Sequence, residues 1–531
     1  MKAPAERSLA LLLAGWAAFA VASLWLRPLW PVDETRYTAV AWEMWLRGDF
    51  LVPWVNGEPY SHKPPLLFWL MQLGWAVFGV NEWWPRLIAP LLAFAAVPLL
   101  WRMEKLLWNE RGHSPWILFG TLLFAAFITL TMFDLLLLLC VLAGMIGVLE
   151  LAAGARGRGL MWLGAGIGLG VLAKGPVVLL HVLPAAVVAP WWAPQLKGKL
   201  ARWYFDLLLG TLIGAAIALA WAVPAAFEGG EAYRRAIFWG QTAGRVSESF
   251  AHRAPVWYYL PFLPLILFPW FVWPRFWKGF SAKEYENRFL IAWFVLTLVG
   301  FSLVSGKQPK YLVPMLPAFA LLAGRAIERS GSAVRAWPML LPVAGFLVLP
   351  AGLFWIRMRP AQFGLPEWSA GIPVWPIAVL ALAAPALLFF ARKDALTQMR
   401  ALAFGMLVAF AVAGAGVLPA FAPYGDTLPA AQYLAAQQRL KVPLAHLGKY
   451  HAQYNFAGRL TEPIAILEAR ELRDWVAAHP AGQVITVERK PYVATSAASA
   501  PVRPDYQGPF RGAWVQVWRG PALLQARPEL R

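Results

Sequence analysis

The sequence predicts a polytopic all-α membrane protein with a small α/β domain at its C-terminal end, and three observations lead there. Of 531 residues, 60% are hydrophobic and 14% charged, with a mean hydropathy of +0.54, whereas a soluble domain carries roughly 25% charged residues. Apolar runs close to the ~20 residues a helix needs to cross a bilayer recur from about residue 8 to about residue 421. Beyond residue 422 these runs stop and shorter segments with strand and helix periodicity take over. The 31 Trp, many near the ends of apolar runs, fit the aromatic belts of membrane interfaces.

Candidate spans fall at about 8–27, 85–107, 115–131, 135–153, 159–174, 176–193, 204–225, 255–273, 289–305, 311–325, 336–356, 372–391 and 401–421, about thirteen in all. The first resembles a signal peptide in its basic start, but Arg27 and Pro28 stand where a small-residue cleavage site belongs, so it reads as a retained helix. With the N-terminus inside, the cytoplasmic loops hold Arg102, Lys105 and Arg111; Arg156 and Arg158; Lys197, Lys199 and Arg202; Arg275, Lys278, Lys283 and Arg288; Arg325, Arg329 and Arg335; and Arg392, Lys393 and Arg400. Each obeys the positive-inside rule, which accounts for much of the net charge of +19 without nucleic acid.

Two apolar segments of the first outer loop (28–84) do not fit as spans. "TRYTAVAWEMWLRGD" puts Tyr37, Val40, Ala41, Met44 and Trp45 on one helical face and Gly48 at its end, an amphipathic surface helix. "KPPLLFWLMQLGWAVFG" opens on Pro64 and Pro65, which suit a first turn. It offers only about 14 residues before Gly79, roughly 20 Å of helix, and so lies along the outer interface.

After residue 422, "LPAAQYLAAQQRL", "VPLAHLG", "IAILEARELRDWVAAH", "GQVITVER" and "AWVQVWRG" read as helix, strand, helix, strand, strand. Thirteen spans from an inside N-terminus leave this domain outside, in the periplasm of a bacterial cell. The lone Cys140, within an apolar run, is a small buried side chain that can form no intramolecular disulfide.

The polar residues that border or interrupt apolar runs are Asp33, Glu34, Arg36, Glu58, His62, Lys63, Asp134, Lys174, Arg245, Glu248, His252, Arg253, Lys307 and Lys310, and the topology sends all of them to the outer face. Singly each has a plain structural account: Asp134 can cap a helix, Lys174 can snorkel, and a loop Arg usually does nothing. Together they carry chemistry. Asp33, Glu34 and Asp134 suit a base or a sugar-holding acid, and Lys63, Lys174, Lys307 and Lys310 suit a phosphate. An outer site with both points to a lipid-linked phosphate substrate. No GxxxxGK[ST] and no GxGxxG after a strand occurs, so no nucleotide cofactor is expected.

The stretch "PVDETRYTAVAWEMWLRGDFLVPWVNGEPYSHKPPLLFWL" resembles the first outer loop of the bacterial aminoarabinose (lipid A) transferases and their relatives in glycosyltransferase family 39, which includes the protein O-mannosyltransferases. The shared features are a DE pair after the first helix, then R-Y, G-D, N-G-E-P-Y and K-P-P. "TMFDLLLLLC", "GVLAKGPVVLL", "FWGQTAGRVSESFAHRAPVWYYLPFLPLILFPW" and "SGKQPKYLVPMLPAFALL" are similar to the same family, which extends the resemblance over about residues 8 to 325. It implies a GT-C fold with an outer catalytic cavity and a polyprenyl-phosphate sugar donor. Asp33 then matches the essential acid of the first loop and Lys63 a phosphate-contacting lysine, with Lys307 and Lys310 bordering the donor pocket. Arg36, Tyr60, Lys174, Arg253 and Tyr311 join these as substrate-binding residues. The family's E-K-P-P reads H-K-P-P here, with His62 replacing Glu. His62 and His252, helped by Glu58 or Asp134, thus become candidate ligands for a divalent metal, most plausibly zinc.

The resulting expectation is an inverting glycosyltransferase of the bacterial inner membrane, with domains at 1–421 and 422–531. It would move a sugar, with 4-amino-4-deoxy-L-arabinose a candidate, from polyprenyl phosphate to lipid A or another lipid or glycan acceptor at the periplasmic face. Asp33 would orient or deprotonate the acceptor, and Lys63 with Lys307 or Lys310 would stabilise the departing phosphate. A protein O-glycosyltransferase is one alternative. A flippase for a lipid-linked sugar is another, although its binding groups would sit near the midplane, often between related halves, and no repeat is visible. A sensor would leave the first-loop cluster without a purpose.

Overall fold

The computed structural model describes residues 3–240, 254–331, 335–363, 367–493 and 502–530. Among them, eight helices are long and apolar enough to cross a membrane: Glu6–Leu26, Trp83–Trp108, Phe133–Ala152, Leu200–Glu228, Tyr285–Leu303, Pro309–Arg329, Trp337–Met358 and Ala395–Gly416. Each coincides with an expected span. The other five expected spans are shorter, more charged or broken. Arg156–Lys174 forms 19 residues of helix but carries three cations. Val177–Val187 stops and restarts as Ala189–Trp192, and Val374–Phe390 is a shorter apolar helix.

The two remaining segments, 115–131 and 255–273, complete each other. The first breaks at Gly120 into helices Ser114–Phe119 and Leu122–Phe127. The second holds Pro255, Pro261, Pro264 and Pro269, each lacking the N–H a helix needs, and forms only the short turns Leu260–Phe262 and Leu263–Ile266. Groups left unpaired by these breaks bond across: Leu122 N–H donates to Phe268 O at 2.9 Å, and Trp270 Nε1–H donates to Ile117 O at 2.9 Å. Trp270, Trp273 and Tyr259 are fully buried, which is where irregular backbone is tolerated in a membrane protein.

Two compact units organise the chain. One comprises Met1–Ser23, Ser61–Phe354 and Pro373–Gly414. At its heart, helices Phe133–Ala152, Arg156–Lys174 and Leu200–Glu228 pack through glycine. A Cβ on Gly166 would stand 2.3 Å from the backbone nitrogen of Gly144, and one on Gly147 would stand 2.3 Å from that of Leu163. Gly164 and Gly168 receive Ile213 and Ile217, while Gly210 and Gly214 receive Leu163 and Ile167. Small residues let backbones approach where lipid supplies no hydrophobic drive for helices to associate. At the ends assigned to the cytoplasm, Arg158 pairs with Glu150 at 3.2 Å and Arg156 with Asp206 at 2.8 Å, with Arg102 also on Glu150.

The other unit comprises Leu24–Tyr60, Trp355–Ile372 and Ala415–Arg531. The first outer loop up to Tyr60 therefore falls in the same compact unit as the C-terminal residues. In the loop, strands β1 (Trp54–Val55) and β2 (Glu58–Pro59) pair antiparallel around Asn56 and Gly57, both at positive φ, as a two-residue hairpin requires. The C-terminal domain holds β3 (Leu444–Leu447), β4 (Ala465–Leu467), β5 (Gln483–Glu488), β6 (Tyr506–Phe510) and β7 (Ala513–Arg519) in the order β4-β3-β5-β7-β6. β3 is parallel to β4 and β5, and β7 is antiparallel to β5 and β6. Sequence reading missed β6, which carries Gly508 and Pro509. It also took 464–479 as one helix, whereas "AIL" pairs as β4 before a Glu468/Glu471 capping box starts the helical turns.

The expected surface helix runs Asp33–Arg47 and ends on Gly48 at φ 64°. It is covered on more than one face: Thr38, Ala39 and Trp42 are buried along with Tyr37, Val40, Ala41 and Met44. The additional cover comes from the C-terminal domain. Trp42 Nε1–H donates to Leu460 O at 2.9 Å, and the Asn56 amide exchanges two 2.9 Å hydrogen bonds with the backbone of Ile464.

Gly166→Val tests the glycine packing. Overpacking a tight core costs roughly 1–3 kcal/mol, and here the obstacle is backbone, which yields less readily than a side chain. The variant is expected to melt several degrees lower in detergent, checked by thermal size-exclusion chromatography, while Gly157→Val, which meets nothing within 4 Å, melts like wild type.

Candidate active site

The first-loop acids part company in the structure. Glu34 accepts two hydrogen bonds from the Arg27 guanidinium, at 2.6 and 3.0 Å, and a third from Trp30 N–H at 2.8 Å. Both partners are sealed, with side chains 1% and 2% exposed. This pair closes residues 27–34 on themselves and fixes the start of helix Asp33–Arg47. Asp33, one residue earlier, points elsewhere: its carboxylate accepts from Arg36 at 2.6 Å, and the two side chains stay 31% and 20% exposed. Arg36 also lies 5.6 Å from the Tyr37 ring centroid. Burial opposes its charge, but Tyr60, Tyr37 and Asp33 outweigh that and hold its pKa above the ordinary value. Tyr60 itself is buried. Asp33, Glu34, Arg36 and Tyr60 all belong to the unit that includes the C-terminal domain.

Glu58 lies in that unit as well, while His62, Lys63, Asp134, Lys174, Lys307, Lys310 and Tyr311 belong to the other. Lys63 stands one residue before the prolines that open helix Leu66–Phe78, half-buried with its Nζ 5.9 Å from the Phe133 ring centroid. The adjacent Asp134, at the start of Phe133–Ala152, accepts a 2.5 Å hydrogen bond from Lys174, which ends Arg156–Lys174. This pair is 2% and 9% exposed. Lys174 also sits 5.2 Å from the Tyr311 ring centroid, so one ammonium joins an acid to an aromatic from a distant segment. A buried acid and cation need each other, because either alone would be an uncompensated charge.

Lys307 turns away from the expected phosphate role. Its ammonium donates to Ala254 O at 2.9 Å and to Val304 O at 2.6 Å, 4% exposed, and burial lowers its pKa. Together with reciprocal 3.3 Å bonds between Tyr259 Oη and the Gln308 backbone, it braces the "SGKQPKY" turn that presents Lys310 and Tyr311. Lys310 stays half-buried.

The expected metal site is not assembled among the described residues. His62 is exposed, no group of three or more His, Cys, Asp or Glu gathers there, and His252 lies outside the described residues, as do Arg253, Arg245 and Glu248. A zinc centred on Asp134 does not fit, because that carboxylate is taken by Lys174. Sequence reading missed Arg27, whose position at the end of the first span looks like an ordinary interfacial flank, and it missed His181. That ring is 1% exposed with neither nitrogen hydrogen-bonded, against Phe301 at 5.0 Å.

Residues 62–224 match the family described as dolichyl-phosphate-mannose-protein mannosyltransferase. Over 442 residues the chain is 30% identical to the undecaprenyl phosphate-alpha-4-amino-4-deoxy-L-arabinose arabinosyl transferase 2 of Pseudomonas fluorescens, covering 77% of this chain and 71% of that one. The chain belongs to this arabinosyl transferase family. The similarly named protein of Pseudomonas aeruginosa is 30% identical over 429 residues, 72% of this chain and 74% of the relative. Among solved structures, ArnT from Cupriavidus metallidurans bound to undecaprenyl phosphate superposes with a TM-score of 0.73 at 21% identity, over 90% of this chain and 92% of that one. The apo state of the same protein gives 0.72 at 20% identity. The fold is therefore the GT-C arrangement expected from the motifs, and an arabinosyl transferase family member is a membrane glycosyltransferase, not a flippase or a sensor.

The unlike environments of the two first-loop acids predict unlike variants. Glu34→Gln leaves Arg27 buried without its counter-charge, and breaking such a pair typically costs about 3–5 kcal/mol. Asp33→Asn disturbs only a half-exposed pair, worth at most about 1 kcal/mol. Thermal melting of the purified variants is expected to show a large loss for Glu34→Gln and a near-wild-type transition for Asp33→Asn.

Proposed function

We propose that this protein transfers 4-amino-4-deoxy-L-arabinose from undecaprenyl phosphate to a phosphorylated lipid acceptor, lipid A, at the periplasmic face of the bacterial inner membrane. The donor and sugar are those in the names of its relatives, and undecaprenyl phosphate is the ligand of a fold neighbour. The observation that carries the assignment to residues is the contrast in the first loop, where Glu34 is consumed by Arg27 while Asp33 remains reachable.

In the step we infer, the bond between the anomeric carbon and the lipid phosphate oxygen breaks with its electron pair passing to the phosphate. A new bond forms from an acceptor oxygen on the opposite face of the sugar, inverting the centre. Asp33 orients that oxygen and takes its proton where it carries one, and Arg36 pairs with the Asp33 carboxylate. Lys63 and Lys310 stabilise the negative charge growing on undecaprenyl phosphate. Lys174, held by Asp134 and stacked on Tyr311, shapes the sugar's surroundings, and Lys307 keeps the Lys310–Tyr311 turn in place.

Two outcomes follow for purified protein given undecaprenyl phosphate-aminoarabinose and lipid A. Wild type converts the donor. Asp33→Asn loses about 10²- to 10⁴-fold in turnover, the usual contribution of a general base, while still binding undecaprenyl phosphate. Lys310→Met is expected instead to weaken donor binding and turnover together. An Asp33→Asn variant with most of the wild-type rate would remove the assignment. Reporter fusions after residue 430 are expected to be active only in the periplasm.

A further inference from the structure

The C-terminal domain carries polar groups that the transfer step above does not use. Parallel strands β4, β3 and β5 end on the same edge of their sheet, and in open α/β sheets the crevice beyond the carboxyl ends of the strands is where ligands bind. β3 sits between its two parallel neighbours, so the chain leaves it at a point where connections diverge to either side. The loop that leaves it reads "GKYH", residues 448–451. The β6–β7 hairpin turns on Arg511 and Gly512, with Phe510 opposite Ala513. β7 begins opposite the end of β5, Trp514 facing Glu488, so the register brings the Arg511 tip to the same edge of the sheet as the 448–451 loop. The tip is fixed there by the Arg511 N–H, which donates to Tyr424 O at 2.6 Å.

The far part of the helix Asp33–Arg47 and the β1–β2 hairpin are held at the opposite edge of the sheet, where Leu460 and Ile464 lead into β4. Asn56 and Trp42 bond to Ile464 and Leu460, and the Arg459 guanidinium lies 5.7 Å from the Trp42 ring centroid. The charges that reach the half-buried His451 are those of Arg36, Arg511 and Lys449 on one side and Asp33 on the other. Burial first, then these cations, lower the His451 pKa. Three cations thus act on this imidazole against one carboxylate, and that carboxylate is already engaged by Arg36. Lys449 and Arg511 are exposed, and such an excess of positive charge invites an anion.

We propose that His451, Lys449 and Arg511 form an anion site on the C-terminal domain that receives the phosphate of the acceptor beside Asp33. This rests on the transfer reading above and makes the C-terminal domain the part of the enzyme that selects the acceptor. Lys449 and Arg511 draw in the phosphate, and His451 hydrogen-bonds it. The acceptor's reacting oxygen is thereby held within reach of the Asp33 carboxylate.

The test uses the full-length protein in detergent with Lys449→Gln, His451→Gln and Arg511→Asn. Asparagine suits the left-handed backbone at 511 (φ 50°) and keeps the hairpin turn intact. Equilibrium binding of lipid A and of undecaprenyl phosphate is measured separately, beside steady-state transfer. The Lys449→Gln/Arg511→Asn double variant is expected to bind lipid A about tenfold more weakly and to show a matching rise in acceptor KM, as loss of charge-assisted contacts predicts. Its undecaprenyl phosphate affinity and kcat are expected to stay as in wild type, and dephosphorylated lipid A is expected to bind wild type and variant alike. Unchanged lipid A binding would overturn the proposal, and so would an equal fall in undecaprenyl phosphate binding, which would give the cluster to the donor. A wild type that binds lipid A yet transfers nothing from the donor would instead overturn the transfer reading, and the binding comparison would still decide the anion site.

Discussion

The buried Arg27–Glu34 pair is the constraint on which the shape of the first outer loop depends. A membrane helix that ends in an arginine ordinarily lets it reach water or headgroups. Here the guanidinium is turned inward and satisfied by a carboxylate seven residues later, with Trp30 N–H and Pro28 O completing the knot. Such a pair gives little net stability against a hydrophobic substitute, but it gives direction. It closes residues 27–34 on themselves and fixes the start of a helix at Asp33. The Asp33 carboxylate is thereby set on the first turn of a helix, whose partial positive end attracts anionic groups.

The same economy of charge recurs in the membrane-spanning unit. Asp134 and Lys174 come from the starts and ends of different helices, and the glycine-lined packing of Phe133–Ala152 against Arg156–Lys174 is what lets their termini stand close enough to pair. Close backbone approach thus does two jobs, association in lipid and delivery of a functional pair. Lys307 shows the alternative use of a cation: its ammonium replaces the missing N–H donors of a proline-rich segment by bonding two carbonyls, and so holds a turn whose other lysine stays half-buried.

Much of this was legible in the sequence. Every long apolar helix coincides with a hydropathy-defined span, because burial in lipid leaves period and length as the dominant signals. The segments 115–131 and 255–273 were not legible as broken, since their backbone groups are satisfied by each other and no local pattern records a partner some 150 residues away. The D-E pair, the K-P-P lysine and the QPKY turn were all visible as motifs. Which of the two acids stays reachable was not, because Arg27 in isolation is one more basic flank. Likewise nothing local separates Lys307 from Lys310; only the carbonyls around the first distinguish brace from candidate ligand.

The membership of residues 24–60 in the unit of the C-terminal domain has the widest consequence. Hydropathy treats that domain as an appendage after the last span, yet it supplies the cover for helix Asp33–Arg47. Without it the Trp42 indole and both hydrogen-bonding ends of the Asn56 amide would lose their partners, and the buried Ala39 and Trp42 would face solvent. Leaving buried polar groups unpaired is costly, so the loop that carries Asp33 cannot hold its shape independently of the domain encoded some 400 residues later. A domain that covers the helix carrying Asp33 is also well placed for the acceptor role proposed above. Its exposed loops can change charge without disturbing the buried contacts through which it holds the first-loop helix.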